Sequence, residues 1–216
     1  MPDWVISLRD HTIQARVMRD APERPHVFLF GHSFVSRLSR EALRQHRSVL
    51  DLVGLSGMCK LSVEGHPGLS YSRVFSNPGF YLRRLREDYV HTLIVDIGSN
   101  DLCDPSVTPS ILVSKVEEFL DLLRTSGISP VSIILFSVIE RTRICRPGQV
   151  SVNTFNRKVR RFNAGISKRV KDLDGVHFYC QRRVNRKGNL VDGVHLNAVG
   201  MDKYCRAVKE SVLRLR

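Results

Sequence analysis

Short, almost uninterrupted apolar runs recur along this chain, each separated from the next by a longer segment whose apolar residues return every three or four positions. A strand covered on both faces needs apolar residues at successive positions, whereas a helix lying on a sheet needs only one apolar stripe. The alternation therefore predicts repeated strand–helix units around a parallel sheet. The strand candidates are 26–30 (HVFLF), 49–53 (VLDLV), 92–97 (TLIVDI), 131–138 (VSIILFSV) and 176–179 (VHFY). Helical stripes run through 34–46 (Val35, Leu38, Leu43), 111–123 (Val113, Val116, Phe119, Leu120, Leu123), 153–170 (Phe155, Val159, Phe162, Ile166) and 201–215. Residues 57–78, rich in Gly, Ser and Pro, are expected to loop over the carboxyl edge of the sheet.

A chain of 216 residues suits one domain. Residues 1–24, which end in an Ala-Pro-Glu-Arg stretch, read as an N-terminal extension, and 25–216 as the domain proper. With 42% hydrophobic and 25% charged residues the composition is that of a globular protein, and no apolar run is long enough to span a membrane. The first nine residues lack the basic and apolar regions of a secretory signal. Five widely spaced cysteines with no C-x-x-C pair argue against a disulfide framework and against a zinc site. Reduced thiols in an intracellular compartment, cytoplasmic or nuclear, are the expectation, with no metal and no cofactor.

Ligands of open α/β sheets bind beyond the carboxyl ends of the strands, so the residues just after each run carry the chemistry. After the first comes Gly31-His32-Ser33-Phe34, a strand-to-helix turn that presents a hydroxyl near unpaired helix N–H groups. Alone, such a serine is more often a helix cap. After the second comes Gly54, where a missing side chain lets a backbone N–H approach a ligand oxygen. After the third comes Gly98-Ser99-Asn100-Asp101, whose amide can donate into the same crevice. Near the C-terminus Asp192 precedes His195 by three residues, a spacing that lets a carboxylate fix an imidazole tautomer. Asn197 is expected to cap the final helix. The turn after the first strand is no G-x-G-x-x-G, which sets a dinucleotide enzyme aside.

Each signal is weak by itself, but their order along residues 26–212 resembles the four blocks of the SGNH (GDSL-like) serine hydrolase superfamily. The blocks would be Gly31 to Ser33, Gly54, Gly98 to Asp101, and Asp192 to His195. The resemblance implies a three-layer α/β/α sandwich with a central parallel, flavodoxin-like five-stranded sheet. It also implies a serine-dependent hydrolase of carboxylic esters, of acyl- or acetyl-esterase type, acting on a small ester. Ser33 would be the nucleophile, His195 its base and Asp192 the orienting acid. Ser33, Gly54 and Asn100 would form the oxyanion hole, with His32, Gly98 and Asp101 modulating the site. One departure stands out: the family's first block usually reads Gly-Asp-Ser, and here His32 replaces the Asp.

Charge is split unevenly. Residues 1–140 carry 15 Lys and Arg against 16 Asp and Glu, and residues 141–216 carry 19 against 5, within a formal net charge of +13. Clusters at 141–146, at Arg157, Lys158, Arg160 and Arg161, and at Arg182 and Arg183 give the alternative reading, a basic RNA-binding module on the same fold with little or no catalysis. No base-reading signature accompanies them. SGNH-like domains do occur in RNA-binding and retrotransposon proteins, and the basicity here is similar, which raises a mobile-element origin as an expectation to test.

Overall fold

The computed structural model describes residues 24–144 and 148–215. Residues 1–23 of the expected N-terminal extension, and Cys145 and Arg146 of the first basic cluster, lie outside the described residues. Five strands, β1 (His26–Gly31), β2 (Lys60–Gly65), β3 (Thr92–Asp96), β4 (Ser132–Phe136) and β5 (Val176–Tyr179), form one parallel sheet in the order β2-β1-β3-β4-β5. The helices are α1 (Ser33–Arg44), α2 (Val49–Val53), α3 (Tyr71–Ser76), α4 (Pro78–Tyr81), α5 (Arg83–Glu87), α6 (Pro109–Thr125), α7 (Val152–Arg169) and α8 (Ala198–Leu213).

Both faces of the sheet are covered, and consecutive strand residues go to opposite cores. Phe28 and Phe30 of β1, Leu93 and Val95 of β3 and Leu135 of β4 pack against α3, α6 and α7, where Phe119, Phe155 and Phe162 are buried. Val27 and Leu29, Ile94, and Ile134 and Phe136 face the other way, onto Phe34, Val35 and Leu38 of α1 and Met201, Tyr204 and Val208 of α8. The three-layer α/β/α architecture and the five-stranded flavodoxin-like order expected from sequence are therefore present. In this order the chain reverses direction between β1 and β3, the place where ligands of such sheets bind. The caps follow the same local chemistry: Thr108 with Pro109 starts α6, Ser151 starts α7, and the Asn197 side chain accepts from Gly200 N at the start of α8.

The second strand is where the sequence reading fails. Residues 49–53 are the helix α2: Ser48 Oγ accepts from Asp51 N, and Gly54 closes the turn in the left-handed conformation. The true β2 lies at Lys60–Gly65, inside the segment expected to be a loop. Among the described residues it is an edge strand, paired only with β1 and half-buried, so it needs no continuous apolar run and shows Leu61 and Val63 alternating with Ser62 and Glu64.

Gly65 fixes how closely α1 lies on this edge. A Cβ there would come 2.1 Å from Ser36 N and 2.7 Å from Ser36 Cα, both backbone atoms of the helix that follows Ser33. Gly65→Ala should lower stability by about 3 kcal/mol, measured from urea unfolding midpoints, because helix backbone cannot yield as a side-chain end can.

Candidate active site

The first and third blocks meet where β1 and β3 run side by side. Gly31 pairs with Asp96 in register, and His32 N–H donates to the Asp96 carbonyl at 3.1 Å. Ser33 is the first residue of α1, half-buried, and its backbone N–H has no acceptor among the described residues. His32 is the cap of that helix: its Nδ1 accepts from Phe34 N–H at 3.4 Å. The acceptor role of Nδ1 assigns the proton to Nε2, which faces Asp96 Oδ1 at 3.5 Å. Asp96 Oδ2 in turn accepts from the Tyr204 hydroxyl of α8 at 2.7 Å. All three side chains are buried.

The last block reaches the same edge. His195 Nδ1 lies 2.6 Å from Asp192 Oδ2, and Asp192 Oδ1 also accepts from the backbone N–H groups of His195 (2.7 Å) and Val194 (3.0 Å). Burial works against the Asp192 charge, but the bonds from the His195 ring and these two amides outweigh it and hold the carboxyl well below the usual range. The loop is anchored from below, since Thr142 N–H donates to the Gly193 carbonyl at 2.9 Å. Arg141, the residue before Thr142, donates to Ser99 Oγ at 2.7 Å, which sets the last block beside the third. Among the described residues no hydrogen bond joins Ser33 Oγ to the His195 ring.

The other expected residues fall as follows. Asn100 is half-buried, and its Nδ2 donates to the Leu69 carbonyl at 2.8 Å, tying the turn after β3 to the loop after β2. Gly98 holds φ +112°, a conformation closed to other residues, with Leu112 and Val138 against it. Asp101 accepts from Tyr71 N–H at 3.1 Å and faces Lys115 at 3.7 Å. Burial raises its pKa, against the pull of these partners. Asp101 thus pins α3 and its loop. Gly54 is placed elsewhere: its N–H is spent on Leu50 and Asp51 at the end of α2, and its neighbour is Lys209 near the far end of α8. It cannot serve an oxyanion beside Ser33.

Two residues went unread in the sequence. Gly68 (φ +77°), three residues after the corrected β2, precedes the Leu69 carbonyl that Asn100 grips, and its N–H has no acceptor among the described residues. The cue was the Gly-Leu-Ser before α3, hidden by the misplaced strand. Arg141, expected within a solvated cluster, is buried under the crevice and donates to Ser99 Oγ (2.7 Å) and Cys103 Sγ (2.9 Å). Of the other expected nucleic-acid contacts, Lys158 donates to the Asp104 carbonyl, Arg160 pairs with Glu140 and Arg183 with Glu210. Arg157, Arg161 and Arg182 are exposed. Nothing here favours the RNA-binding reading. Among the described residues no cluster of His, Cys, Asp or Glu could hold a metal ion, and no helix is long and apolar enough to cross a membrane.

No family model matches the sequence and no curated protein matches it. Solved structures do. A carbohydrate acetylesterase from Sinorhizobium meliloti superposes with a TM-score of 0.67 at 16% identity, covering 89% of this chain and 100% of its own. A GDSL-like lipase from Bacteroides thetaiotaomicron VPI-5482 gives 0.65 at 16% identity over 95% and 98%. The chain has the SGNH/GDSL-type hydrolase fold. A carbohydrate esterase family 3 structure from Talaromyces cellulolyticus agrees, with 0.61 at 15% identity over 88% and 97%. Nothing in these matches points to a mobile element.

His32 gives the site a testable pH signature. Burial lowers its pKa from the ordinary 6.5, with Arg141 and His195 adding to the effect and Asp96 opposing it. Between the folded and unfolded values the unfolded chain binds more protons, so this ring costs stability as the pH falls below 6.5. In His32→Asn the amide oxygen can still cap Phe34, and the fall in Tm from about pH 7 to about pH 5 should be shallower than in the parent. An unchanged slope in differential scanning calorimetry would assign that loss to other groups.

Proposed function

We propose that this protein is a serine-dependent hydrolase of carboxylic esters, with Ser33, His195 and Asp192 as its triad. The observation that carries the reading is the 2.6 Å contact between Asp192 and His195 Nδ1 at the edge where Ser33 opens α1. With Nδ1 held by the carboxylate, His195 Nε2 is the nitrogen that takes the Ser33 proton as Oγ attacks the acyl carbon. The resulting oxyanion is met by the Ser33 and Gly68 backbone N–H groups and by the second N–H of the Asn100 amide, whose first holds Leu69. Collapse of the intermediate expels the alcohol, which receives the proton from His195. Water then releases the acyl group by the same steps in reverse. The esterases and lipase that share the fold support this reaction class over a purely binding role. His32 leaves the triad complete, since its ring serves as the acceptor at the helix cap.

Ser33→Ala should abolish hydrolysis of p-nitrophenyl acetate and labelling by a fluorophosphonate probe, with the fold intact by circular dichroism. A parent protein that neither turns over the ester nor takes the probe sinks the proposal. Asn100→Ala should lower kcat by about 10²-fold, the scale of one oxyanion donor. A change in KM alone would place Asn100 in loop anchoring instead.

A further inference from the structure

The face of α1 that starts at Ser33 continues as a line of arginines. Ser33, Arg37, Arg40 and Arg44 are spaced four, three and four residues apart and therefore share one side of the helix. Opposite them lie Leu196, Asn197, Ala198 and Met201, so the wall of the intervening cleft begins one residue after His195. The cleft measures about 370 Å³, and Arg37, Arg40, Glu41 and Arg44 form its helical side.

Its one carboxylate is already committed. Glu41 takes both Nε and Nη2 of Arg44, at 2.9 and 2.6 Å, and also Gln45 Nε2 at 2.6 Å. Those bonds push the Glu41 pKa down to about 2. Arg37 has no hydrogen-bond or ion-pair partner among the described residues, and Arg40 reaches only Ser36 Oγ at 3.4 Å. A half-buried guanidinium left unpaired beside a cleft has unused capacity for a bidentate anion.

We infer that this cleft receives a carboxylate or phosphate carried on the alcohol portion of the ester. The side follows from the proposed mechanism, on which the inference rests: the cleft adjoins His195, which protonates the leaving oxygen, whereas Asn100 and Gly68 flank the acyl oxygen. Arg37, four residues past the nucleophile, is the first cation the leaving group meets, and Arg40 the second. The leaving alcohol is thus selected by charge, and the small apolar surface of Leu196, Ala198 and Met201 lies along its path.

The test compares 3-carboxy-4-nitrophenyl acetate with its neutral parent, p-nitrophenyl acetate. At low salt the anionic ester should have the higher kcat/KM by about tenfold, a scale set by two partly exposed cations. The ratio should fall toward one in Arg37→Gln/Arg40→Gln and on raising the salt to about 0.5 M. It should hold in Arg124→Gln/Arg161→Gln, which removes an equal charge from positions outside the cleft lining. A ratio near one in the parent, or one indifferent to the double substitution, overturns the inference while leaving esterase activity intact. Binding of the product 5-hydroxy-2-nitrobenzoate to Ser33→Ala, read by calorimetry, needs no turnover. Loss of that binding in the triple variant supports the cleft even where hydrolysis fails, and its absence without the extra substitutions overturns it.

Discussion

The Asp96 carboxylate at the end of β3 holds together parts of the chain that lie far apart in sequence. Its backbone carbonyl receives His32 N–H at the end of β1, one oxygen faces the His32 ring, and the other accepts from Tyr204 on the last helix. A buried carboxylate is tolerated only where donors surround it, and here those donors come from the turn before Ser33 and from α8. Placement of the serine and docking of the final helix are thereby coupled through one group, and the Asp192–His195 loop leads directly into that helix.

Electrostatics at the crevice set each group's protonation. His32 is kept neutral by burial with Arg141 and His195 nearby, which leaves its Nδ1 free to cap α1. Asp192, more exposed and gripped by three donors, stays ionised. One imidazole thus caps a helix while the other is held by a carboxylate, although both sit at the same edge of the sheet. His32 caps α1 without setting a second carboxylate against Asp96, where two buried negative charges would repel.

The strong positive charge of the C-terminal third has several local uses. Arg141 is drawn under the site, Lys158 braces the turn after β3, and Arg160 and Arg183 meet carboxylates of neighbouring elements. Charge counted along a sequence overstates the charge offered to a partner whenever some of it is spent inside. The cations of α1 were less conspicuous in the count, yet Arg37, Arg40 and Arg44 line a cleft that begins one helical turn past Ser33.

Four of the five strands and the long helices were legible because each rests on local rules, unbroken apolar runs, helical periodicity and capping residues, whereas the strand order was implied only by the resemblance to a known superfamily. The same rules, read too quickly, misplaced the second strand. Residues 49–53 look like a buried strand by hydrophobicity, and only the Ser48 cap with the Gly54 stop marks them as a helix. An edge strand such as β2 carries little apolar signal because half of it faces water. That error also hid Gly68, which follows β2 and precedes the Leu69 carbonyl held by Asn100. The sequence by itself determined the architecture and Ser33, Asp192 and His195 as a candidate set, since these depend on residue type and spacing. Tertiary structure decided that Gly68 stands beside Asn100, that Arg141 is buried and that Arg37 and Arg40 face the His195 loop. Those relations arise from packing between distant segments, which no local pattern encodes.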